Sequence, residues 1–141
     1  MSITMDPRRM GGVARLYGEN EAERLAQLHV VVVGVGGVGS WCAEALVRTG
    51  IGRLTLVDGD TVALSNTNRQ LPALDGNYEK PKVEVLAERF RHINPECVVE
   101  TKIAFVREGN ALEILPKNAD WVVDCIDDLA GKTALVGTAA K

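Results

Sequence analysis

His29-Val30-Val31-Val32-Val33-Gly34-Val35-Gly36-Gly37-Val38-Gly39-Ser40 decides the fold of this chain. A continuous β-branched run marks a strand buried on both faces, as in a parallel sheet. The run breaks into spaced glycines and then into a helical pattern. Gly34 permits a tight turn, Gly36 lets a phosphate approach the backbone, and Gly39 allows close packing of helix on strand. A helix opening near Gly37 aims its free N–H groups and positive dipole end at an anion. The ligand implied by this stretch is a nucleotide with two or three linked phosphates.

Working outward, the first strand is expected at about 28–34. A helix over 40–49 turns Trp41, Ala45 and Leu46 inward and is closed by Gly50. A second strand covers 53–58. Residues 59–78 form a long connection with little regular pattern, and connections of that length are usually functional or mobile. Val83, Leu86, Ala87 and Phe90 at helical spacing predict a helix over 80–93, stopped by Asn94-Pro95. Strands follow at 98–104 and 121–126, with a short helix at 111–115 between them. A further helix starts at Leu129, weakened by Gly131 and Gly137. Residues 1–10 read as polar and loose, and 11–27 as one or two short helices. The alternation of strands and helices predicts an α/β, Rossmann-like, doubly wound sheet, mainly parallel and truncated after its fourth strand.

The chain has 141 residues, one domain's worth, with a formal net charge of −3 and no basic arm. Arg8-Arg9 is the longest positive cluster and reads as a solvated terminus. Cys42, Cys97 and Cys125 are isolated, with no CxxC pair to suggest zinc or a disulfide framework. Each reads as a small buried apolar residue. No stretch approaches the roughly 20 apolar residues of a spanning helix. The expected compartment is the cytoplasm.

Asp58 ends the second strand, where a carboxylate accepts hydrogen bonds from ribose hydroxyls. That much fits NAD, FAD, ATP or a methyl donor equally. The next segment, Asp58-Gly59-Asp60-Thr61-Val62-Ala63-Leu64-Ser65-Asn66-Thr67-Asn68-Arg69-Gln70, breaks the tie. It gathers carboxylates, carboxamides and a guanidinium beyond the strand's carboxyl end, where open α/β sheets bind ligands. An NAD-binding domain has no evident need for Asn66 and Arg69, whereas a triphosphate needs an arginine to grip its oxygens. Lys82, at a helix start, adds a point charge, although alone it is an ordinary surface lysine. Asp127, beyond the fourth strand, is placed to hold Mg2+ against the phosphates, with Asp124 and Asp128 as competitors. Asp128 also reads as a helix cap. No Walker A sequence is present, which removes the P-loop kinase reading.

The set Gly34-x-Gly36-Gly37-x-Gly39-Ser40, Asp58-x-Asp60, Ser65-Asn66-x-Asn68-Arg69-Gln70, Lys82 and Cys125-Ile126-Asp127 resembles the adenylating domain of the ubiquitin-activating-enzyme-like superfamily, the MoeB/ThiF/HesA group. Softer similarities resemble the tRNA threonylcarbamoyladenosine dehydratase branch: Gly11-Gly12-Val13-Ala14-Arg15-Leu16-Tyr17-Gly18, Gly39-Ser40-Trp41, Thr49-Gly50-Ile51-Gly52 and Thr67-Asn68-Arg69-Gln70. The resemblance implies a helical segment at 1–27 ahead of an incomplete ATP-binding adenylation domain at 28–141. It assigns nucleotide binding to the Gly34, Gly36, Gly37, Gly39 and Ser40 turn, with Asp58 on the ribose and Asp60 beside it. Asn66, Arg69 and Lys82 would contact the phosphates, and Asp127 would hold the metal. Catalysis would fall to Arg15, Arg69, Lys82 and Asp127. Arg15 matches an arginine that reaches into a partner subunit's ATP site, which implies a homodimer.

The implied reaction is a ligase-type adenylation that joins a carboxylate to AMP and releases pyrophosphate. In the dehydratase branch the carboxylate is the threonylcarbamoyl group on a tRNA adenosine, which then cyclises with loss of water. Asp128 stands where many relatives carry Asn or Ser, and neither Cys42 nor Cys125 occupies a thioester position. The alternative within this class is an activator of a ubiquitin-like sulfur-carrier protein, with a sulfur-transfer partner. From another class, an NAD-dependent oxidoreductase explains Gly34–Gly39 and Asp58 but leaves Asn66, Arg69 and Lys82 idle. A non-catalytic nucleotide-binding module is the third reading.

Overall fold

Four parallel strands, β1 (His29–Val33), β2 (Arg53–Val57), β3 (Val98–Lys102) and β4 (Trp121–Asp124), form one sheet in the order β3-β2-β1-β4. They belong to a computed structural model that describes residues 2–140. The helices are α1 (Pro7–Tyr17), α2 (Glu19–Gln27), α3 (Gly39–Thr49), α4 (Lys82–Ile93), α5 (Ala111–Ile114) and α6 (Leu129–Ala139). A 3₁₀ turn spans Leu64–Asn68 within the long connection. The strand order runs outward from β1 to β3 and then returns to place β4 on the other side of β1. The β1/β4 junction is therefore the point where the order reverses, and open α/β sheets bind ligands in the crevice there.

All five β1 residues are buried, because both faces of the strand are covered. Val30 and Val32 pack with Ala43, Val47, Leu54, Leu56, Val83, Leu86 and Phe90, a core closed by α3 and α4. Val31 and Val33 pack on the opposite side with Val57, Ala111, Ile114 and Leu135, beneath α5 and α6. The unbroken apolar run thus serves two layers at once. The α4 face expected from Val83, Leu86, Ala87 and Phe90 is fully buried, and Asn94 ends the helix.

Two expectations are corrected. Residues 1–10 are not all loose, since α1 begins at Pro7 and Asp6 caps it by accepting from the Arg8 amide at 2.9 Å. Asp6 also donates its own amide to Glu96, and Met10 is buried against Gly50. A polar stretch is held here by one apolar anchor and a cap. Trp41 and Ala45 do not face inward; both are exposed. The helix rests on its small residues, Ala43 and Val47, with Ser40 and Glu44 also buried and Leu46 partly so. Trp41 instead donates its indole N–H to the Arg69 carbonyl at 2.9 Å. Strand and helix ends otherwise fall within a few residues of expectation. Among the described residues β4 is an edge strand, and its Trp121 is 65% exposed. No helix among them is long and apolar enough to cross a membrane.

A Cβ on Gly39 would lie 1.6 Å from the Gly34 carbonyl oxygen. Gly39→Ala should therefore cost about 3 kcal/mol or more in urea unfolding, at or beyond the upper end of ordinary overpacking. Gly137, inside α6 with open space around it, gives the opposite sign. Gly137→Ala should gain about 0.5–1 kcal/mol from helix propensity.

Glu44 joins α3 to α4 through Arg89 and pairs with Arg48. Burial pushes its carboxyl up, but the Arg89 and Arg48 guanidiniums outweigh that and hold it below its usual value. The Arg8 side chain and amide draw Asp6 down to about 2. Both carboxyls are easier to ionise folded than unfolded, so their contribution is present above the ordinary carboxyl range and lost as pH falls through it. Stability should decline from about pH 5 toward pH 2. Glu44→Gln should flatten the upper part of that decline and Asp6→Asn the lower, as read from melting temperature against pH.

Candidate functional site

A cavity of about 780 Å³ opens at the carboxyl ends of β1, β2 and β4. Its floor is the glycine turn. Gly34 adopts φ +88°, a left-handed conformation that suits glycine, and a Cβ there would lie 2.7 Å from the Cys125 carbonyl. The amides of Gly36, Gly37 and Val38 donate to no group among the described residues. They lead directly into the N-terminus of α3, the arrangement that binds anions.

Asp58 holds this turn to the next loop. Its Oδ2 accepts from the Val35 amide at 2.9 Å and its Oδ1 from the Asp60 amide at 2.8 Å. The chain beyond Asp60 pairs briefly with the segment before α4. Val62 N–H donates to the Lys80 carbonyl, Glu79 N–H to that of Val62, and Lys82 N–H to that of Asp60. These bonds carry Lys82 from the start of α4 into the cavity wall. Its side chain is 6% exposed, with Nζ 3.5 Å from the exposed Asp60 carboxylate. A buried ammonium with one solvated partner is costly to keep, and an incoming anion would offset that cost.

Asn66 is buried in the 3₁₀ turn, where its Oδ1 accepts from the Ala63 amide at 2.8 Å. Its carbonyl accepts from the amides of Arg69 and Gln70, so the turn aims both side chains at the glycines. The Arg69 stem lies 3.4 Å from the position a Gly37 Cβ would take. Its guanidinium contacts only neutral oxygens among the described residues, the Asn68 side chain at 3.0 Å and the Ser65 carbonyl at 3.4 Å. The structure thus brings Gly34, Gly36, Gly37, Asp58, Asp60, Asn66, Arg69 and Lys82 to one cavity, with Asp127 on its far wall.

The three carboxylates after β4 are distinguished by their partners. Asp124 pairs with Lys132 at 3.2 Å, and Asp128 caps α6 by accepting from the Gly131 amide at 2.7 Å. Asp127 is exposed at the cavity and hydrogen-bonded to nothing among the described residues. Its hard oxygens suit a magnesium ion that takes most of its ligands from phosphates and water. No cluster of three or more metal-ligating side chains exists among the described residues.

Other expected residues lie elsewhere. Ser40 is fully buried and is not part of the glycine-turn cavity's lining; its hydroxyl donates to the Gly36 carbonyl and accepts from the Leu71 amide. It ties the glycine turn to the long connection. Gly39 supports the turn from behind. Arg15 is exposed on α1 and lines a second cavity of about 620 Å³ under α1 and α2, not the cavity at the glycine turn.

Three wall residues carried no assigned role in the sequence. Gln70 is buried with Oε1 unpartnered and Nε2 beside Gly36. Phe105 and Arg107 enter from the loop after β3. Their signal was topological, since that loop follows a strand ending at the same sheet edge. Burial, followed by the neighbouring Cys42 thiol and Asp124, pushes the Cys125 thiol up, and burial alone takes Cys97 to about 11. Neither is poised as a nucleophile.

A glycine turn at a strand-order reversal, with basic side chains gathered around it, is the architecture of nucleotide-binding α/β domains. The chain belongs to the ThiF family, whose model matches residues 8–141. It is 50% identical over 129 residues to the tRNA threonylcarbamoyladenosine dehydratase of Escherichia coli (strain K12), covering 92% of this chain and 48% of that protein. It is 39% identical over 107 residues to the molybdopterin-synthase adenylyltransferase of Haemophilus influenzae, 76% of this chain and 44% of that protein. The crystal structure of the E. coli dehydratase in complex with ATP superposes with a TM-score of 0.95 at 46% identity. That match covers 98% of this chain and 58% of the other. The chain therefore spans about half the length of the curated relatives it matches.

In the native protein at pH 8, iodoacetamide should leave Cys97 unmodified while urea-unfolded chain is labelled at all three cysteines. Peptide mass spectrometry reads the difference. Native labelling of Cys97 would contradict its burial.

Proposed function

We propose that this chain binds ATP with Mg2+ at the glycine turn and transfers AMP to a carboxylate. The carboxylate we assign is the threonylcarbamoyl group of a tRNA adenosine, which then cyclises with net loss of water. The observation that carries the reading is the convergence of Arg69, Lys82 and Asp127 on one cavity floored by the free amides of Gly36 and Gly37. An NAD site would leave all three unused. The 50% identity to a dehydratase, against 39% to an adenylyltransferase of molybdopterin synthase, supports the tRNA substrate over a sulfur-carrier protein and its sulfur-transfer partner.

In this reading Asp58 accepts from the ribose hydroxyls and Asp60 steadies Lys82. The substrate carboxylate oxygen attacks the α-phosphorus; that bond forms as the bond to pyrophosphate breaks. Negative charge grows on the phosphate oxygens, where Arg69, Lys82 and the glycine amides would stabilise it. Asn66 fixes the turn that presents Arg69, and Asp127 would hold the magnesium, which neutralises phosphate charge. Arg15 acts from a partner subunit in a homodimer. Its exposure, and its absence from the lining of the glycine-turn cavity, support that role. The compartment we assign is the cytoplasm.

Removing one preorganised donor typically costs about 2.7–4 kcal/mol of barrier. Arg69→Ala and Asp127→Ala should each slow ATP–pyrophosphate exchange by about a hundredfold or more. Unchanged exchange in both variants overturns the assignments. ATP with Mg2+ should raise the melting temperature and NAD should not, since a ligand at 100 times its Kd stabilises by about 2.7 kcal/mol. The opposite pattern returns the site to oxidoreductase chemistry. For the dimer, inactive Arg15→Ala and Arg69→Ala subunits, once mixed, should regain exchange, because each hybrid contains one intact site.

A further inference from the structure

Phe105 and Arg107 form a cation–π pair on the cavity wall, which the chemistry above leaves unused. The Phe105 ring lies flush on the backbone of Gly59, the residue after Asp58; a Cβ on Gly59 would sit 2.5 Å from the ring carbons. The Arg107 guanidinium stands over the same ring, 5.9 Å from its centroid. Arg107 is exposed to the cavity and pairs with no carboxylate among the described residues. The loop that presents the pair is tied to itself. Asn110 accepts from the Arg107 amide at 2.7 Å and donates to the Phe105 carbonyl at 2.8 Å. An arginine held at a cavity wall by an aromatic ring alone has its charge and its flat face still to offer.

The topology says what it faces. Phosphates at the Gly36 turn and a ribose at Asp58 set the nucleotide's direction across the ends of β1 and β2. The base continues past β2 toward the end of β3, where Ala104, Phe105, Val106 and Arg107 line the wall. We propose that Arg107, seated on Phe105, is the base clamp of this site. Its guanidinium stacks on the face of a purine and selects it over a smaller pyrimidine ring. Guanidinium planes stack on π-systems, and base stacking of this kind tolerates any base but gains with ring area. The inference rests on the ATP reading above and adds to it the residue that recognises the base.

The test is calorimetric titration of ATP, UTP and inorganic tripolyphosphate, each with Mg2+, into the unaltered chain, Arg107→Ala and Arg107→Lys. Arg107 is exposed and outside the core, so its variants keep the fold. Arg107→Ala should weaken ATP about tenfold, UTP less, and tripolyphosphate not at all. Arg107→Lys should recover only part of the ATP affinity, because an ammonium has no flat face to stack. Equal losses for ATP and tripolyphosphate would place Arg107 on the phosphates and overturn the clamp. Unchanged ATP affinity in Arg107→Ala overturns it as well, while leaving ATP binding intact. Failure of the unaltered chain to bind ATP overturns the nucleotide reading itself.

Discussion

A side-chain carbon on Gly39 would lie 1.6 Å from the Gly34 carbonyl oxygen, so α3 and the turn before it meet backbone to backbone. That contact sets the position of everything at the crevice. It drops the helix N-terminus onto the end of β1 and leaves the amides of Gly36, Gly37 and Val38 facing the cavity rather than protein. The Ser40 hydroxyl bonds back to Gly36 and receives the Leu71 amide, so the same contact reaches the long connection. Asp58 closes the arrangement by accepting from Val35. A turn fixed at these points costs little reorganisation when an anion arrives, which is the condition under which fixed dipoles act most strongly.

Around this floor the charges are left incompletely matched. Arg69 rests on neutral oxygens, Arg107 on an aromatic ring, and buried Lys82 on one solvated carboxylate. The contrast with the rest of the molecule is instructive. Glu44 takes two arginines, and Arg8 and Arg9 each take a carboxylate. At the crevice, Arg69 and Arg107 meet no carboxylate among the described residues, and Lys82 meets only Asp60. Of the three only Lys82 is buried, and a desolvated ammonium on a single solvated carboxylate is costly, a cost that a bound anion would offset.

The strands, the helices and the glycine turn were legible because they depend on short local patterns. An apolar run followed by spaced glycines has few other meanings, and the 3.6-residue period of α4 is unmixed. Local pattern failed where a single contact overrides it. Trp41 reads as a core residue by hydropathy, yet a helix that must sit tightly on a sheet turns its small residues inward and sends the indole outward. The early residues read as loose, since nothing in their composition announces that Met10 fits under Gly50. Phe105 and Arg107 escaped notice because they match no motif. Their meaning comes from the neighbour relation of β3 and β2, which no single segment contains.

The Trp41 correction leads back to the site. By facing out, its indole reaches the Arg69 carbonyl, and so anchors the backbone of the very residue whose guanidinium meets only neutral oxygens. The 3₁₀ turn does the same from the other side, since the Asn66 carbonyl takes the amides of Arg69 and Gln70. Main chain held at both ends and side chain held only by neutral oxygens is a division that would suit an arginine meant to grip phosphate. The ordering entropy of the loop is met during folding, while the guanidinium keeps its hydrogen-bonding capacity for the ligand. The long connection after β2 is therefore irregular without being loose, and its irregularity is what lets residues from four strand ends meet at one turn.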